Sequence, residues 1–143
     1  MAFTFKVDPA LGLIFYAGLN ATGTEILEAE KAASNSPLRQ PNMKIIVDIT
    51  QGGLDFEWSD IKKVYRMNRN RLENGNKLEA TAVITYNNFA NTFGDIFRMV
   101  GEGIPINLGM FSTLPDAIKW LDLSDKEAEI LEIQKELMRK LRE

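Results

Sequence analysis

The chain has 143 residues, 45% of them hydrophobic and 26% charged, with a formal net charge of −3. That is the size and composition of one globular domain with its own core, and so mild an acidity gives no electrostatic case for a nucleic-acid partner. Histidine and cysteine are both absent, which excludes Ser-His-Asp and Cys-His catalysis, cysteine redox chemistry and Cys/His metal sites.

Phe3, Phe5 and Val7 alternate with Thr4, Lys6 and Asp8, a period-two strand with one wet face. Asp8-Pro9-Ala10-Leu11-Gly12 is turn chemistry, so 13–17 reads as the second arm of a hairpin. The same alternation shows no signal-peptide core, and no apolar run reaches the ~18 residues of a membrane span. A cytoplasmic location is therefore expected. Thr22 and Glu25 have capping-box spacing and open a helix that runs to about Ala33, where Asn35, Ser36, Pro37 and Pro41 stop it.

Within the strand expected over 43–49, Ile45, Ile46, Val47 and Ile49 form an apolar run broken only by Asp48. A strand apolar on both faces belongs in the middle of a parallel sheet. Open α/β sheets place their sites at the carboxyl ends of such strands, so the loop through Gln51, Gly52, Gly53, Asp55 and Glu57 is the expected contact surface. A helix over 58–72 follows, with Ile61, Val64 and Leu72 on one side and Lys62, Arg66 and Arg69 on another. Next come a strand at 80–85, a helix at 89–100 carrying Phe89, Phe93, Ile96, Phe97 and Val100, and a strand at 106–111. Thr113 caps a short helix to Leu121. Ser124 and Glu127 have capping-box spacing and open a final helix to Arg142.

Strands that alternate with helices after an opening hairpin predict an α/β domain with a mixed, mostly parallel five-stranded sheet, the first strand at an edge. The domain is expected over 1–122, with an amphipathic helix appended at 123–143. A terminal stripe of this kind suits an isologous contact, so Ile130, Leu137 and Leu141 are expected at the interface of a homodimer.

The hairpin, the Ile45-Ile-Val-Asp-Ile49 strand and the run Phe111-Ser-Thr-Leu-Pro-Asp-Ala-Ile-Lys-Trp-Leu121 resemble the STAS domain superfamily, with its SpoIIAA-like fold. The closer likeness is to a bacterial STAS/Sec14-like branch. The resemblance implies a non-catalytic regulatory module in a partner-switching or signalling pathway, meeting a kinase or an anti-sigma-type regulator. It also implies phosphorylation near the start of the helix after the central strand, where Ser59 and Thr50 are the candidates.

Two other readings compete with that module. The Phe89, Phe93, Ile96, Phe97 stripe would line the pocket of a small-ligand or lipid carrier, although plain core packing explains the same pattern. Asp48, Asp55 and Glu57 would serve a carboxylate-based enzyme or hold a divalent cation. Turn formation and helix N-terminal charge account for them more simply, and no metal or cofactor is assigned. The bases at 62–71 read as a solvated helix face.

Overall fold

The structure, a computed structural model, describes residues 2–51, 63, 80–85 and 107–143. Five strands form one sheet in chain order: β1 (Ala2–Asp8), β2 (Leu13–Leu19), β3 (Lys44–Gln51), β4 (Thr81–Ile84) and β5 (Leu108–Phe111). Only β1 and β2 are antiparallel; the pairings from β2 to β5 are parallel. The hairpin therefore places β1 at an edge and the apolar run of β3 at the centre, as the alternation and the doubly apolar strand predict. Gly12 sits at φ 64 in the turn between β1 and β2, a backbone conformation that carries little steric cost only without a Cβ.

Side chains that alternate along the strands build two cores. On one face Leu13, Phe15 and Ala17 of β2, Ile46 of β3, and Ala82 and Ile84 of β4 are buried together. They pack beneath helix α2 (Leu114–Trp120) and helix α3 (Glu127–Arg142). On the other face Val7, Ile14 and Tyr16 pack with Ala29 and Ala33 of helix α1 (Gly23–Ser34).

Helix α1 starts where its local chemistry says it must. Thr22 Oγ1 accepts from the Glu25 N–H at 3.2 Å, and Glu25 Oε1 accepts from the Thr22 N–H at 3.0 Å. Two amides that would otherwise lack helical partners are thereby satisfied. Thr22→Ala is expected to lower stability by about 1 kcal/mol in chemical denaturation. No measurable loss would mean that packing alone sets the start of the helix.

The second capping box, at Ser124, does not form. Helix α2 ends in a Schellman arrangement, with Asp122 at φ 59, the Asp122 N–H on Lys119 O and the Leu123 N–H on Ile118 O. Leu123 is drawn into the core with Ile118. The chain then enters a single 3₁₀ turn, Ser124–Lys126, and α3 begins with no side-chain cap. The way α2 ends leaves no extended residue at Ser124, and a capping residue needs that conformation.

The expected seam between two copies is corrected as well. Ile130 and Leu137 are 0% and 1% exposed, buried with Ile133 and Met138 against the chain's own β-sheet, and the half-buried Leu141 packs beside them. The stripe reaches across β1 and β2, and the Lys6 ammonium lies 3.7 Å from the Glu136 carboxylate. A face already covered by its own sheet has little apolar surface left for a second copy. Glu136 and Lys140 do pair at 3.5 Å, as their i, i+4 spacing predicts.

Candidate functional site

Asp48 lies on the central strand, its Cα opposite Ala17 of β2 and Ile84 of β4, and it is fully buried. Pleat parity places it on the same face as Ile46, beneath α3. Just beyond it the register to β2 slips. Ala17 faces Asp48 but Leu19 faces Gln51, so β3 carries an extra residue. Bulges of this kind recur next to functional sites because they re-aim side chains. Asp48 itself ties the bulge together: Oδ1 accepts from the Thr50 N–H at 3.0 Å and from the Thr50 hydroxyl at 2.7 Å. Oδ2 accepts from Nε2 of Gln134, on α3, at 2.7 Å.

A carboxylate without such donors would be costly at this depth. Three hydrogen bonds, two of them short, offset its desolvation. They also fasten the carboxyl end of the central strand to the C-terminal helix. Both oxygens of Asp48 thus have donors within the chain. Among the described residues no three or more Asp, Glu, His or Cys side chains gather where they could hold a metal ion.

Thr50 is half-buried and opens onto a groove of about 580 Å³ along the C-terminal half of α3. Gln134 and Met138 line it from the buried side of the helix, and the exposed Lys135, Arg139, Arg142 and Glu143 stand along it. Of the residues singled out by sequence, the structure thus brings Asp48 and Thr50 together, and Gln51 closes β3. Gly52, Gly53, Asp55, Glu57, Ser59 and the Phe89, Phe93, Ile96, Phe97 stripe lie outside the described residues. By sequence Gln134 only widens the apolar stripe of the final helix, although a signal for a buried partner existed. It is a polar residue set four after Ile130 and three before Leu137, in a stripe that is otherwise apolar, where burial demands a partner.

A second buried polar cluster lies on the opposite face. The Tyr16 hydroxyl donates to Glu30 Oε2 at 2.5 Å and the Ser34 hydroxyl to Glu30 Oε1 at 3.3 Å, with the Arg39 guanidinium 3.9 Å from the same carboxylate. Phe3 and Phe5 pack over the Tyr16 ring. The cluster pins α1 to β2 and is largely shielded from solvent.

A solved structure shares this architecture over 84% of the chain and 94% of its own length, with a TM-score of 0.53 at 13% identity. It is an uncharacterised protein of the DUF3478 family with a SpoIIAA-like fold, from Shewanella loihica. The chain has a SpoIIAA-like fold. In that frame the Asp48 bulge occupies the carboxyl end of the middle strand of the SpoIIAA-like sheet, where the expected contact surface begins. No family model matches the chain, and no curated protein does. Among the described residues, no helix is long and apolar enough to cross a membrane.

Proposed function

We propose that the chain is a non-catalytic STAS-like module that works through protein contacts made at the carboxyl end of β3, around Thr50. The observation that carries this reading is the state of Asp48. It is the one described member of the carboxylate set on which an enzyme would depend, and it is fully buried with both oxygens bound to Thr50 and Gln134. The absence of histidine and cysteine points the same way. Thr50, half-buried at the rim of the site, is the described hydroxyl a partner kinase would meet. A phosphate there would break the Thr50–Asp48 hydroxyl bond and set two anions side by side, the charge change a switch requires.

The test is native purification of the tagged full chain from its own host, with mass spectrometry of bound proteins and of phosphate. A protein held in stoichiometric amount is expected. When the pair is reconstituted from purified components, Thr50→Lys should weaken it about tenfold, a change of ~1.4 kcal/mol, while the variant keeps its circular dichroism. Substrate turnover by the purified chain that disappears in a folded Asp48→Asn variant would overturn the reading.

A further inference from the structure

We propose that the groove along the C-terminal half of α3 is a binding site for a small organic anion: a compact apolar body bearing one phosphate or carboxylate group. Three observations carry this. The volume, about 580 Å³, is in the range that holds small ligands rather than single ions. Among the described lining residues Lys135, Arg139 and Arg142 stand at i, i+4 and i+7 beside one acid, Glu143, on a chain whose own net charge is −3. On the buried side Met138 supplies apolar contact. Gln134, fixed through its Nε2 to the buried Asp48, keeps its amide oxygen and a second N–H for a ligand.

Two effects oppose an anion here, and both are smaller. The C-terminal end of a helix carries roughly half a negative charge, against three bases and one acid among the described lining residues. All three bases already have interactions within the chain: Lys135 lies 3.4 Å from Glu132 and Arg139 2.9 Å from Glu143, and Arg142 is engaged as well. The four side chains of these two ion pairs are more than half exposed, and pairs of that kind contribute about 0–1 kcal/mol, so a ligand displaces them at little cost. Guanidinium and ammonium groups then meet the anionic group, the guanidinium with the fork geometry suited to phosphate and carboxylate.

This proposal needs no protein partner, so it stands or falls separately from the interaction reading. The experiment titrates the full chain with phenyl phosphate and follows backbone amides by NMR. Inorganic phosphate and neutral benzyl alcohol serve as comparisons. Phenyl phosphate should shift the amides of Thr50 and residues 134–142 saturably, and the other two compounds should act more weakly. Lys135→Gln combined with Arg139→Gln should lower the affinity by about tenfold or more; the exposed ion pairs lost are weak, so the melting temperature should fall only slightly. No saturable shift at millimolar phenyl phosphate would overturn the proposal. So would binding that the double variant leaves intact. Inorganic phosphate binding as tightly as phenyl phosphate would remove the organic part and leave only an ion site.

Discussion

Removal of residues 124–143 should unfold the protein. Ile130, Ile133, Leu137 and Met138 are all buried on the face that also holds Leu13, Phe15 and Ile46. Burial of four such side chains stabilises by roughly 6–12 kcal/mol, taken as an upper figure. A domain has in total only ~5–15 kcal/mol of net stability. The truncation also exposes the apolar side chains of β2 and β3 and leaves Asp48 without Gln134. The truncated chain should lose near-ultraviolet circular dichroism and its cooperative melt. A folded, cooperatively melting truncation product would show that α3 is an accessory, and the account of the core given above would fail. Within the full chain, Leu137→Ala should cost on the order of 2–5 kcal/mol, and Leu141→Ala, at a half-buried position, distinctly less. Equal losses at the two sites would contradict the orientation of the helix.

The contrast between the two capping boxes shows which parts of this fold were legible in the sequence. Thr22 and Glu25 sit three residues apart after a loop free to extend, so local chemistry decided the outcome. Ser124 and Glu127 have the same spacing, but Ser124 follows a helix whose left-handed exit at Asp122 drives Leu123 into the core. The backbone there is set by what precedes it. The strands were legible for a related reason. Alternation in 3–7 and a doubly apolar run in 45–49 each report how many faces are buried, and that alone orders an edge strand and a central one. The stripe on α3 reports only that one face is buried. Periodicity holds no information on whether the covering surface belongs to the same chain, and here it does.

The candidate site was half legible for the same physical reason. Asp48 announces itself as the one charge within the apolar run 45–49, and such a charge must find donors. Thr50 is two residues away and could be guessed. Gln134 is 86 residues distant, and the bond between them exists only because α3, lying across β1 and β2, reaches Asp48 on β3. The cations of the groove were hidden differently. Arg139 and Arg142 sit in the last turn, where bases commonly offset a helix dipole, and Lys135 pairs with Glu132 one turn away, so their sequence pattern has a sufficient local explanation. Only the shape beside Thr50 suggests another.

Asp48→Ala should be the most damaging single substitution in the described polar core. It removes no large apolar volume, so the loss comes from donors left behind. The Thr50 N–H, the Thr50 hydroxyl and Nε2 of Gln134 would all lose their acceptor next to a fully buried position. Each stranded donor costs about 1–3 kcal/mol, less where water can enter, and the half-buried Thr50 and Gln134 recover part of that. A net loss of roughly 3–5 kcal/mol is expected in urea denaturation. Asp48→Asn keeps the shape and one acceptor, and a turned Gln134 amide could offer its oxygen to the new N–H, so its loss should be nearer 1–2 kcal/mol. The decisive measurement is a double-mutant cycle with Gln134→Leu. If Asp48 and Gln134 bind each other as described, their coupling should be about 1.5–3 kcal/mol, the range for a hydrogen bond to a charged group. Additive losses would mean that α3 is held over the strand end by its apolar stripe alone, and that Asp48 serves only the bulge at Thr50.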